Sequence, residues 1–176
     1  HEGIVLGSLN MNKFIDAEKN DVDWSQLEQA IRTAVHFLDN VIDMNSYPKP
    51  EIEKQTKNTR KFGLGMMGFA DTLIRLGIKY DSKEGLQFAE RVISFIKQAA
   101  YEKSMELAIE RGVCPSWRGS EHHKAGRKMR NMSCLSISPT GTISIMADVS
   151  SSCEPLYAIA FQKSVLGDTE LIYINK

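Results

Sequence analysis

The chain has 176 residues, 42% hydrophobic and 25% charged, enough apolar material for one substantial core and too much for a disordered segment. Its 22 basic side chains balance its 22 acidic ones, so no net field draws it to a nucleic acid polymer or an anionic membrane, and no apolar run approaches the roughly 18 residues of a membrane span. Cys114, Cys134 and Cys153 stand at wide, irregular spacing that suits neither a disulfide framework nor a zinc site, which points to a reducing cytoplasm.

Residues 1–5 read as a tag remnant, a foreign leader or the edge of an excised piece, because His1-Glu2-Gly3 carries no initiator methionine. Asp23 or Ser25 can cap a helix whose apolar positions Leu27, Ile31, Ala34, Val35, Leu38, Val41 and Ile42 recur at helical steps, ending near Tyr47-Pro48-Lys49-Pro50. Glu51 to Arg60 predicts a short charged helix, and Lys61 to Met66 a buried strand in which Gly63 and Gly65 allow close backbone packing. A helix from Phe69 to Leu76 should stop at Gly77. The longest helix then begins at Asp81 or Ser82 and ends at Gly112, with Leu86, Ala89, Ile93, Ile96, Ala100 and Leu107 on its inner stripe. Asn131 to Ser138, Leu156 to Phe161 and Leu171 to Ile174 alternate enough apolar residues for strands. This order predicts an α/β fold with parallel strands joined by long helical crossovers.

The most informative segment is Ser138-Pro139-Thr140-Gly141-Thr142-Ile143-Ser144. Gly141 has no Cβ and lets backbone approach a ligand, while Thr140, Thr142 and Ser144 offer hydroxyls. If the chain turns helical after Thr140, free N–H groups and the positive helix end favour a diphosphate. The same composition also suits an ordinary turn or helix cap.

Other residues fit structural roles better. Adjacent histidines such as His122 and His123 point apart, and their neighbours Gly119-Ser120 and Gly126-Arg127-Lys128 predict a solvated loop rather than a metal site. His36 reads as a packing residue on a helix. Lys124, Arg127, Lys128 and Arg130 form the densest basic cluster, either an exposed charge run or electrostatic help for an anion at the nearby turn. Met66, Met67, Met129, Met132 and Met146 suit core packing, and the cysteines read as small buried residues, Cys153 the most exposed.

Four stretches in this order resemble the barrel domain of ribonucleotide reductases, above all the adenosylcobalamin-dependent class II enzymes. They are Leu6-Gly7-Ser8-Leu9-Asn10; Phe37-Leu38-Asp39-Asn40-Val41-Ile42-Asp43; Arg60-Lys61-Phe62-Gly63-Leu64-Gly65-Met66-Met67-Gly68-Phe69-Ala70-Asp71; and Met129-Arg130-Asn131 leading to Pro139-Thr140-Gly141-Thr142-Ile143-Ser144. Glu154-Pro155-Leu156-Tyr157-Ala158 and Thr169-Glu170-Leu171 extend the likeness, so residues 6–176 read as a partial barrel domain.

The resemblance implies part of a ten-stranded α/β barrel, the radical reduction of ribonucleotides to deoxyribonucleotides by full-length relatives, and a substrate diphosphate turn at Ser138 to Ser144. Adenosylcobalamin is the radical source in class II, but its contacts map to no residue here. The family's Asn-x-Cys-x-Glu radical loop has no match, and Ile4-Val5 replace a Cys-Asn that carries one of the reducing thiols. The expectation is therefore a reductase fragment, inactive alone, that binds ribonucleotide weakly. The alternative is a non-catalytic nucleotide-binding or subunit-assembly module. An opened barrel leaves unpaired strand edges, so a homo-oligomer or docking onto a reductase subunit is expected.

Overall fold

The computed structural model describes residues 1–156, 158–165 and 169–174. Strand β1 (Val5–Asn10) leads through a single 3-10 turn into a small antiparallel hairpin of β2 (Ile15–Asp16) and β3 (Asp21–Val22). Helices α1 (Trp24–Met44) and α2 (Pro50–Thr59) follow, and the chain returns as β4 (Phe62–Met67), parallel to β1 with Val5 opposite Phe62 and Asn10 opposite Met67. Two helices, α3 (Phe69–Arg75) and α4 (Lys83–Arg111), precede the short α5 (Glu121–Lys124) and α6 (Gly141–Met146). Strands β5 (Ala160–Val165) and β6 (Thr169–Ile174) close the described chain.

The predicted helices form where local chemistry favours them. Asp23 caps α1 by accepting the Gln26 N–H at 2.9 Å, Pro50 opens α2, and Ser82 caps α4 by accepting the Gly85 N–H at 3.0 Å. Leu27, Ile31, Val35, Leu38 and Ile42 of α1 pack with Phe88, Val92, Ile96 and Leu107 of α4 in one apolar core. Every residue of β4 is buried, as a strand covered on both faces requires. An added Cβ on Gly63 would stand 2.5 Å from Ser136 Cβ, and one on Gly65 would stand 2.6 Å from Ser136 O, so both glycines let the next segment lie against β4.

That next segment is not the full strand expected over Asn131–Ser138. It makes one parallel bridge, Leu135 with Leu64. Its first backbone donors go elsewhere, Asn131 N–H to Ser104 Oγ at 3.1 Å and Met132 N–H to Thr59 O at 3.1 Å, which keeps them out of a ladder. The strand expected over Leu156–Phe161 begins only at Ala160, and Tyr157 lies outside the described residues. The segment Leu171–Ile174 does lie in β6, but β6 pairs antiparallel with β5. Only residues 166–168 separate these two strands, too few for a parallel crossover. The sheets are thus small, and the fold is mixed α/β.

Three smaller expectations also change. Leu86 is 71% exposed: a Cβ on Gly85 would lie 2.7 Å from the carbonyls of Lys79 and Tyr80, so α4 presses Gly85 inward and turns Leu86 out. Met146 is exposed at the end of α6, whereas Met66, Met67 and Met129 are buried as expected. His122 and His123 lie on the single-turn helix α5, held by Ser120 Oγ accepting the His123 N–H at 3.2 Å, rather than in an irregular loop.

Candidate phosphate-binding turn

The parallel pairing of β1, β4 and the Leu135 bridge sends three chain segments the same way, so the turns after Asn10, Met67 and Ser136 lie at one end of the strands. Ligands of α/β folds gather at that carboxyl end. Gly68, at φ +74, makes the turn from β4 into α3, and there a Cβ would meet Asn10 Oδ1 at 3.1 Å and Val149 Cβ at 3.3 Å.

At this end Thr140 precedes α6. It is buried and makes no side-chain cap to its own helix. Its Oγ1 instead accepts the Ser152 N–H at 2.7 Å and lies 3.4 Å from Ser151 Oγ. Gly141, Thr142 and Ile143 are exposed, and an added Cβ on Gly141 would meet no atom within 4 Å. First-turn N–H groups have no acceptor within their helix, and here the residue that usually covers them is turned away. Ser144 is buried, its N–H donating to Thr140 O at 2.8 Å and its Oγ to Gly141 O at 3.4 Å. Ser138 Oγ pairs with Ser136 Oγ at 3.0 Å, and Pro139 is exposed. Of Thr140, Thr142 and Ser144, only Thr142 is exposed.

Two members of the basic cluster have acidic partners outside this turn. Lys124 pairs with Glu121 at 2.6 Å. Arg130 is drawn to the opposite, amino end of the strands, where its Nε lies 3.4 Å from Asp39 Oδ2 and its Nη1 donates to the carbonyls of Arg111 and Gly112. There Asp39 Oδ1 accepts from Arg60 Nε at 3.0 Å, Arg60 Nη2 at 2.8 Å and Asn131 Nδ2 at 2.9 Å. Arg60 also donates to both Asp43 oxygens, and its hydrogen bond holds the Asp43 carboxyl below its ordinary pKa. Burial opposes the Arg60 charge, yet hydrogen bonds to Asp43 and Asp39 raise its pKa. Sequence pattern alone did not single out this cluster as one site; its signal was a charged residue, Asp39, on the buried face of α1.

Burial pushes the Cys134 thiol up to about 12 and raises that of Cys114, so neither is a ready thiolate. Cys153 is half-buried. Among the described residues no group of three or more His, Cys, Asp or Glu could hold a metal. The imidazoles of His36, His122 and His123 are engaged by Arg111, the Met132 carbonyl and the Gly119 N–H. One nitrogen of each ring is used in these contacts, and His122 Nδ1 is buried without a partner; no residue here is assigned to cobalamin.

A family model described as the barrel domain of ribonucleotide reductase matches residues 5–128 and 125–176. The chain is 49% identical over 176 residues to a vitamin B12-dependent ribonucleoside-diphosphate reductase of Thermoplasma acidophilum, covering 99% of the chain and 23% of that protein. It is 42% identical over 175 residues to the protein of that name in Mycobacterium tuberculosis, covering 99% and 25%. With the ribonucleoside-diphosphate reductase subunit alpha of Chlamydia pneumoniae it shares 34% over 198 residues, 92% of the chain and 19% of that subunit. The chain thus spans about a quarter or less of the length of these relatives.

Proposed function

The chain belongs to the ribonucleotide reductase barrel-domain family, and from that premise we propose that it forms part of a cobalamin-dependent ribonucleoside-diphosphate reductase in which Ser138, Pro139, Thr140, Gly141, Thr142, Ile143 and Ser144 hold the substrate diphosphate. One observation carries the reading: Thr140 gives its hydroxyl to Ser152 instead of capping α6. The N–H groups of Gly141, Thr142 and Ile143 are left to face an anion at the carboxyl end of the strands. Thr142 Oγ1 adds a donor, and the bare Gly141 Cα lets phosphate oxygens approach.

In this reading the chain's own residues bind and orient. Cobalamin, when bound by the whole reductase, supplies the radical; the stretch described here holds the diphosphate so that the ribose is presented to that chemistry. Cys114 and Cys134, kept as thiols by burial, take no part. Ribose and base contacts belong to other parts of the enzyme, so the isolated chain binds weakly.

A second reading, a non-catalytic nucleotide-binding or assembly module, draws on Ile4-Val5 standing where the family resemblance leads one to expect Cys-Asn. Ile4 and Leu6 are each 52% exposed, and among the described residues β1 pairs with β4 alone. Its other edge is therefore open to a strand of a reductase subunit or a second copy. Titration of the chain with cytidine diphosphate, followed by amide NMR, tests the binding reading. Gly141, Thr142 and Ile143 should shift with the diphosphate and stay still with cytidine. Shifts confined to other residues, or equal effects of the two compounds, would refute it.

A further inference from the structure

Asp71 sits in the first turn of α3, where an acidic side chain ordinarily serves its own helix start. Here its Oδ2 instead accepts the Ser150 N–H at 2.6 Å, while Gly68 N–H donates to Ser150 O at 2.8 Å. Ser150 is thus gripped through both backbone groups by the turn that ends β4. The loop needs that grip, because Asp148 and Ser152 on either side both have left-handed backbone, at φ 55 and φ 49, a conformation costly for residues other than glycine. The Ser150 hydroxyl is buried without a partner, a further cost the anchoring bonds must offset.

The same loop holds α6 at both ends. Val149 N–H donates to Ser144 O at 3.0 Å, and Ser152 N–H donates to Thr140 Oγ1 at 2.7 Å. The second bond is the one that turns Thr140 away from its helix. We infer that Asp71 is a positioning residue for the diphosphate turn, acting through Ser150 and Ser152 without touching the ligand. This rests on the proposed binding at Ser138–Ser144.

The test measures cytidine diphosphate affinity of the chain by amide NMR in three variants. Asp71→Ala should weaken binding about tenfold, the effect of losing one charge-assisted hydrogen bond. Asp71→Asn, whose amide oxygen still accepts the Ser150 N–H, should recover most of that loss. Gly141→Val should abolish binding. If Gly141→Val abolishes binding while Asp71→Ala binds like the wild type, the role of Asp71 is wrong and the diphosphate reading stands. If Gly141→Val binds normally, the reading beneath it fails. A measurement on the wild type guards against misfolding of Asp71→Ala: saturating diphosphate should slow hydrogen exchange at the Ser150 and Ser152 amides several-fold, since coupling between ligand and loop is reciprocal. Unchanged exchange there would overturn the inference.

Discussion

Asp39→Ala should be among the most damaging single substitutions in the chain. Asp39 is fully buried and accepts four guanidinium contacts: two from Arg60 at 3.0 and 2.8 Å, and one each from Arg111 and Arg130 at 3.4 Å. Asn131 adds a fifth hydrogen bond at 2.9 Å. The Arg60 side chain is only 5% exposed, so without the Asp39 carboxylate it keeps only Asp43 and the backbone carbonyl of residue 39 and cannot regain water. Breaking a buried pair by removing one partner costs about 3–5 kcal/mol, roughly a fifth or more of a total stability of roughly 5–15 kcal/mol. For a chain of this size that lowers the melting midpoint by roughly 6–20 °C. Urea unfolding followed by circular dichroism measures the difference directly. A loss below about 1 kcal/mol, the range of a surface pair, would show that the cluster does not bolt α1, α4 and β4 together.

Gly65→Ala places a Cβ against Ser136 O and should cost about 1–3 kcal/mol by overpacking, read by the same unfolding curve. Acid should weaken the fold through Asp43: with its folded pKa held below the ordinary 3.8, its contribution is present above that value and is lost as pH falls through the lower one. Because the Asp43 side chain is 45% exposed, the effect is small, and it appears as a gap between wild type and Asp43→Asn at pH about 6 that closes toward pH about 2. Iodoacetamide at neutral pH should label Cys153 before Cys134, whose thiol is buried and pushed up to about 12; mass spectrometry of tryptic peptides gives the order.

Much of the fold was legible in the sequence because its signals are local. Asp23, Pro50 and Ser82 mark helix starts by chemistry confined to one turn, and the paired glycines of Phe62–Met67 announce a close neighbour. What was illegible depends on partners far along the chain. Asn131 reads as the start of a strand, yet its N–H goes to Ser104 and its side chain to Asp39 and the Arg60 carbonyl. Leu86 reads as core until Gly85 takes the inward position. The motif residues Asp39, Asp43, Arg60, Arg130 and Asn131 identified a resemblance, but only folding shows that they meet as one ion cluster at the amino end of the strands. The Thr140 hydroxyl read as a ligand donor, and what the sequence did not show is that its oxygen also accepts the Ser152 N–H from twelve residues on.

The most direct test of the account is the dissociation constant of cytidine diphosphate for wild type and Gly141→Val, measured beside their melting midpoints. A Cβ on Gly141 meets nothing in the protein within 4 Å, so the account predicts an unchanged midpoint and lost binding. Equal binding by the two proteins would contradict it.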